Sequence, residues 1–162
     1  MKKVLLILIF FIAIAGCQSS VRYTYKEKSE TKSTEITPKF SKKNNIVQEA
    51  EKWIGTPYCL GGNSKGCIDC SGFVKEVFLS LGVVLPRTAS EQFNCGIEIP
   101  YSKRQSGDLI FFKKGDKIFH VGICVNDTDF IHSSSSKGVV IQSINNEYFI
   151  KHLYGVKRIV TD

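Results

Sequence analysis

At 162 residues the chain has room for one domain rather than two. With 43% hydrophobic and 23% charged residues it has the balance of a folded globule, which excludes global disorder. The formal charge of +7 suits an anionic polymer, but no aromatic-basic interleaving accompanies it, so nucleic acid is not an expected partner.

The chain opens on Lys2 and Lys3, followed by an almost wholly apolar run from Val4 to Ala15 and then by Gly16-Cys17. The run is too short for a typical membrane span and reads as an export signal. Its ending resembles the lipobox of bacterial lipoproteins, which implies cleavage before Cys17 and a lipid on that residue. The alternative, an uncleaved N-terminal anchor, also puts the rest of the chain outside the cytoplasm. The expected organisation is a signal at 1–16, a lipidated N-terminus and flexible tether at 17–42, and a folded domain at 43–162. The tether assignment rests on its Ser, Thr, Lys and Glu content and its lack of apolar periodicity. Gln18 after Cys17 would permit sorting to an outer membrane, facing the wall, in a host that has one.

Within the folded region, Ile46, Val47, Ala50, Trp53 and Ile54 recur at helical spacing, with Asn44 or Asn45 available as a cap and Gly55 as the stop. Thr56-Pro57-Tyr58 and Gly61-Gly62-Asn63 form a turn-rich loop. A second helix opens at Cys70, with Phe73, Val74, Val77, Phe78 and Leu81 on its apolar face and Gly82 at its end. A short helical turn is expected near 88–93. After Pro100 the period changes to that of strands, expected at 108–112, 119–125, 129–132, 139–144 and 156–160. Helices first and an antiparallel sheet second predict an α+β domain.

Asp69-Cys70-Ser71 places a thiol where a Gly-rich loop gives way to a helix. The N–H groups and positive dipole end of a helix start stabilise a thiolate, so the Cys70 thiol is expected below its ordinary range. Asp69 suits the helix cap. His120 and His132 fall on predicted strands. Apolar Val121, Ile123 and Val125 share one face, and His120, Gly122 and Cys124 share the other. A three-residue loop, Asn126-Asp127-Thr128, would pair Val125 with Asp129 and set His132 opposite Gly122, diagonal to His120. Taken singly, a helix-start cysteine or a strand histidine is more often structural than reactive; together they compose what a cysteine hydrolase needs. His152 reads as a surface residue.

Of the six cysteines, Cys59 and Cys67 flank the Gly61-Gly62 turn and could staple it in an exported protein, although spacing alone leaves free thiols the preferred reading. Cys67-Ile68-Asp69-Cys70 has no second metal-binding pair, so no metal site is expected.

The ordered set Gly55-Thr56-Pro57-Tyr58, Gly61-Gly62, Asp69-Cys70-Ser71-Gly72-Phe73, Leu85-Pro86-Arg87-Thr88, Glu91-Gln92, Gly107-Asp108-Leu109-Ile110-Phe111-Phe112, His120-Val121-Gly122-Ile123 and Phe130-Ile131-His132 resembles the NlpC family of bacterial cell-wall cysteine peptidases. The resemblance runs from about 46 to 159. It implies a papain-like α+β fold with a circularly rearranged order, Cys70 as nucleophile, His120 as base and His132 as the residue that orients the base. It also implies Tyr58 beside the nucleophile and Ser71 near the substrate cleft. Arg87 is expected to bind a substrate carboxylate or to form a loop-stabilising ion pair. The family usually has glycine where Cys67 stands, so a positive φ there would carry strain.

The expected activity is peptidoglycan hydrolysis at stem-peptide or cross-link bonds through a thiolate acyl-enzyme. Stem peptides and, through the N-terminal lipid, the membrane are the expected partners; no cofactor is implied, and a monomer is expected. The alternatives are a catalytically silent wall-binding lipoprotein and an amidase or acyltransferase using the same Cys-His site.

Overall fold

The computed structural model describes residues 42–159. The signal, Cys17 and all but the last residue of the tether lie outside the described residues. Three helices come first: α1 (Lys42–Glu51), α2 (Cys70–Ser80) and α3 (Ala89–Phe93). Strands β1 (Ile97–Ile99), β2 (Leu109–Lys114), β3 (Lys117–Cys124), β4 (Asp129–Ser134) and β5 (Gly138–Ser143) follow, then α4 (Glu147–His152) and β6 (Leu153–Arg158). The strands form one antiparallel sheet in the order β1-β6-β2-β3-β4-β5. The α+β class and the helix-then-sheet order are as expected.

Each helix boundary has a local cause. Asp69 is extended and its side chain accepts from the Gly72 N–H, which caps α2. Thr88 and Glu91 form a reciprocal capping box on α3. Gly82 adopts positive φ just after the Leu81 cap of α2, as a helix-stopping glycine does, whereas α1 ends at Glu51, four residues before Gly55, so Trp53 and Ile54 lie in the turn beyond it rather than in the helix. Helix α1 begins two residues earlier than Asn44, so Asn44 and Asn45 lie inside the helix rather than at its cap.

Alternation along the strands sorts the core into two layers. Leu109, Phe111, Val121, Ile123, Ile131 and Val139 face α1, α2 and α3, meeting Ile46, Ala50, Phe73, Val74, Val77 and Phe78. Ile110, Phe112, Cys124, Phe130 and Val156 face the other way and are covered by Ile144 and by Phe149 of α4. Three short elements depart from the expected set: β1, α4 and a 3₁₀ turn at Tyr101–Lys103. Strand β1 is three residues of alternating Ile-Glu-Ile, too short for a periodicity count. Helix α4 is six residues long, and its signal is the Asn146 cap, whose Oδ1 accepts from the Tyr148 N–H. Because α4 takes residues up to 152, β6 starts at Leu153 rather than 156.

The β3–β4 register is the one required to juxtapose the histidines. Ile123 pairs with Ile131 and Cys124 with Phe130, and the Val125 N–H donates to the Asp129 carbonyl. Gly122 therefore stands opposite His132. A Cβ at Gly122 would lie 2.6 Å from a Phe130 ring carbon, 2.9 Å from the Ile131 carbonyl and 3.1 Å from the His132 Cβ. Only glycine fits that close approach. A bulge adds to this: Phe112 pairs with His120 but Lys113 pairs with Ile118, leaving Phe119 as the extra residue. Such a bulge re-aims the next side chain, here His120.

Candidate active site

Residues from four segments meet at one cleft of about 450 Å³: Tyr58 of the loop after α1, Cys70 at the start of α2, His120 of β3, and His132 of β4. Ser133 to Ser136 form one wall, with Phe119, Gln142, Asn146, Tyr148 and Phe149 completing it. Cys70 is 8% exposed, and the backbone N–H of Val121, the residue after His120, favours its thiolate form. The Val121 N–H thus links the start of α2 to β3.

The two imidazoles are in direct contact. His120 Nε2 lies 2.6 Å from His132 Nδ1, and His132 Nε2 lies 2.9 Å from Gln142 Oε1. Phenylalanine rings enclose them. Phe130 stacks on His132 at 4.4 Å and Phe149 meets its edge at 5.5 Å, while Phe112 and Phe119 flank His120. Gln142, on the edge strand β5 opposite Phe130, was not picked out from the sequence. A lone strand glutamine carries no local signal; its role depends on a cross-strand register that only the folded sheet provides.

Burial sets the resting protonation. It pushes His120 down to about 3, assisted by the charge of His132. It pushes His132 down to about 4, outweighing the hydrogen bond to Gln142 that favours the charged ring, with Lys137 adding repulsion. Burial also pushes the Cys70 thiol up, as does the Asp69 charge, against the N–H groups of Val121, Ser71 and Cys70 itself that favour the thiolate. This corrects the expectation of a thiol below its ordinary range: the helix start does supply N–H groups, but desolvation outweighs them. The resting site is a neutral thiol beside two neutral imidazoles, and charge separates only when the proton moves.

An acid sensitivity results. The unfolded chain protonates its histidines near 6.5, whereas the native rings wait until about 3 and about 4. Between those limits the unfolded state holds more protons, so native stability falls as the pH drops below about 6.5. Thermal melts from pH 7 to 4 are expected to show this fall, and a His132→Gln variant is expected to show a smaller one. An equal fall in both proteins would remove the histidines as its source.

Ser71 and Arg87 lie behind Cys70 rather than along the cleft. Arg87 Nη1 and Nη2 donate to Asp69 Oδ1 and Oδ2 at 2.8 and 2.6 Å, Nη2 to the Gly62 carbonyl at 3.0 Å, and Nη1 to Ser71 Oγ at 3.1 Å. Of the two expected uses of Arg87, the geometry is that of the loop-stabilising ion pair. Ser71 Oγ also donates to Asp69 Oδ1, and the Ser71 carbonyl accepts from Gln92 Nε2. Burial raises the Asp69 carboxyl, but the Arg87 hydrogen bonds and charge and the Gly72 and Gly61 N–H groups outweigh it and hold the group below the usual carboxylate range. Tyr58 does line the cleft, and burial together with the Cys70 and Asp69 charges raises its phenol.

The preferred reading of free thiols at Cys59 and Cys67 is also corrected. They form a disulfide with Cα atoms 5.5 Å apart, which the turn through Gly61-Gly62 brings together. Cys67 does not adopt positive φ, so the strain considered for it does not arise. The stapled loop docks on α2: the Gly61 N–H donates to Asp69, and a Cβ at Gly72 would sit 2.4 Å from the Gly62 carbonyl.

A helix-start thiol sharing one cleft with two strand imidazoles, on an α+β scaffold, is the arrangement of a papain-like cysteine peptidase. The relatives place it further: the chain matches the NlpC/P60 family over residues 55–158 and belongs to that family. It is 38% identical over 120 residues to the murein DD-endopeptidase MepS/murein LD-carboxypeptidase of Escherichia coli K12, covering 74% of this chain and 64% of that protein. It is 33% identical over 157 residues to the probable endopeptidase NlpC of the same organism, covering 95% and 97%. Among solved structures, the peptidoglycan hydrolase RipB of Mycobacterium tuberculosis superposes with a TM-score of 0.64 at 27% identity, covering 74% of this chain and 65% of that one. The chain thus spans just under two thirds of MepS and RipB and nearly all of the NlpC protein.

Proposed function

We propose that the chain is a peptidoglycan endopeptidase that cuts stem-peptide or cross-link bonds through a covalent thioester on Cys70. The observation that supports this most is the shared cleft in which Cys70, His120 and His132 converge, with the two rings 2.6 Å apart. Its kinship with murein and peptidoglycan hydrolases supports the substrate class.

In the first step His120 takes the Cys70 proton as the sulfur attacks the scissile carbonyl. The oxyanion is met by the Cys70 N–H and the Tyr58 hydroxyl, each such donor contributing up to ~4 kcal/mol. His120 then gives the proton to the leaving amine, the C–N bond breaks, and the acyl group remains on sulfur. Water, deprotonated by His120, attacks the thioester and restores the thiol. His132 holds the His120 ring and shares the positive charge that appears on it. Ser71 and Arg87 act one layer back, fixing Asp69 and hence the first turn of α2.

The reading includes export and lipid attachment at Cys17, with the domain facing the wall. A Cys17→Ser variant is expected to leave the membrane fraction and appear in soluble extract; full retention in the membrane would contradict the lipid anchor.

Mass spectrometry of muropeptides digested with the mature domain tests the activity and names the bond. New stem fragments support the proposal. No cleavage, with Cys70 nonetheless free to label, would favour the silent wall-binding alternative; release or transfer of an acyl group without a new peptide end would favour the amidase or acyltransferase.

A further inference from the structure

The relay of hydrogen bonds leading away from the nucleophile does not stop at His132. Gln142 Oε1 stands 2.9 Å from His132 Nε2, and His132 Nδ1 stands 2.6 Å from His120 Nε2. A carbonyl oxygen can only accept, so His132 must carry its proton on Nε2. A neutral imidazole has one N–H, so His132 Nδ1 is then a lone pair. That lone pair accepts from His120, which must carry its own proton on Nε2. His120 Nδ1 is left as the unprotonated nitrogen, the one state in which this ring can take a proton from a thiol.

We infer that Gln142 is a positioning residue for the peptidase reaction: its carbonyl oxygen sets the tautomer of His132, and through it the tautomer of His120. This inference rests on the peptidase reading given above. Three features of the site make the setting effective. His132 is 2% exposed, so water does not readily supply the missing acceptor. The ring is clamped between Phe130 and Phe149, so it cannot turn over to exchange its nitrogens without disturbing both. Gln142 itself is fixed by the β4–β5 ladder, where it pairs with Phe130 while His132 pairs with Val140.

Without the acceptor, a buried N–H at His132 Nε2 is left unsatisfied, and the proton shifts to Nδ1. Two N–H groups then cannot face each other at 2.6 Å, so His120 also reverses and presents an N–H where it must accept. The reactive population falls and kcat falls with it. An arrangement of this kind is a relay of proton positions rather than of charge: Gln142 is neutral, and both rings rest neutral.

The test compares Gln142→Leu, which removes the acceptor at similar size, with Gln142→Glu, which keeps an oxygen acceptor. Ring ¹⁵N–¹H correlation spectra of the resting protein report which nitrogen of each histidine is protonated, with no substrate present. Wild type is expected to show Nε2–H on both His120 and His132, and Gln142→Leu to show Nδ1–H on His132. On purified peptidoglycan, kcat of Gln142→Leu is expected to fall about tenfold or more with KM within about twofold. Gln142→Glu is expected to restore the tautomers. Its carboxylate also favours the charged ring, so the acid limb of its rate profile should move up by about one pH unit. The other titratable groups facing the pair, Cys70 of α2, Tyr58 of the preceding loop, Lys137 of the β4–β5 turn and Tyr148 of α4, are common to all three proteins.

Unchanged tautomers in Gln142→Leu, or a wild-type kcat in that variant, would overturn the inference. Should Gln142→Leu fail to fold, Gln142→Met, which also lacks the carbonyl acceptor, is read in the same spectra: Nδ1–H on His132 supports the relay and retained Nε2–H refutes it. If wild type cuts no peptidoglycan while the spectra still depend on Gln142, the relay stands and the proposed activity is what fails.

Discussion

Cys70→Ala is expected to lower peptidoglycan cleavage by about 10⁴-fold or more while leaving the fold intact. The magnitude follows from the chemistry: with no sulfur there is no acyl intermediate, and what remains is water attacking a peptide bound in a cleft. The fold survives for a separate reason. Cys70 contributes one sulfur to the core layer beneath α2, and the cap that starts the helix belongs to Asp69, not to Cys70. Trading the thiol for a methyl group removes little volume, so the expected change in stability is below about 2 kcal/mol. High-performance chromatography of digested muropeptides, alongside a thermal melt, checks both halves. Retained cutting in a folded Cys70→Ala protein would mean that another group attacks the carbonyl.

His120→Ala is expected to be nearly as damaging, with kcat lower by about 10³-fold. The neutral resting state makes this loss larger than it would be for a preformed thiolate. Burial pushes the Cys70 thiol up, so it does not ionise by itself at neutral pH, and attack depends on a base at the moment of reaction. Raising the pH should therefore recover part of the His120→Ala activity, because hydroxide then removes the thiol proton. His132→Ala should be milder, about 10²-fold, because His120 keeps its place on β3 beside the bulge and loses only its orienting partner. Steady-state rates across pH 6 to 10 check this ordering. Equal activity of His132→Ala and wild type would remove His132 from the reaction.

Much of this site could be read from the sequence because its parts are local. The Asp69 cap, the α2 apolar face and the thiol at its first turn all sit within a dozen residues. The histidine register was also accessible, since it depends only on strand parity and a three-residue loop, and Gly122 opposite His132 is its consequence. What escaped depends on distant contacts. Gln142 matters because β5 lies beside β4, and the sequence separation of ten residues says nothing about that. The neutral state of the site depends on four phenylalanine rings drawn from β2, β3, β4 and α4 around two imidazoles. A helix-dipole argument made from Asp69-Cys70-Ser71 alone could not weigh that desolvation. Arg87 was ambiguous for the same reason: one guanidinium fork suits a ligand or a neighbour, and only the fold shows Asp69 within 2.6 Å. The disulfide was open because pairing requires Cα atoms to approach, which the spacing of Cys59 and Cys67 permits but does not impose.

The acyl-enzyme itself offers the most direct test. Protein mixed with muropeptides, quenched in acid within the first turnovers and digested for mass spectrometry, should carry a peptidyl mass on the Cys70 fragment that hydroxylamine removes. Product formed at full rate with no adduct on Cys70, or an adduct on a different residue, would contradict the account.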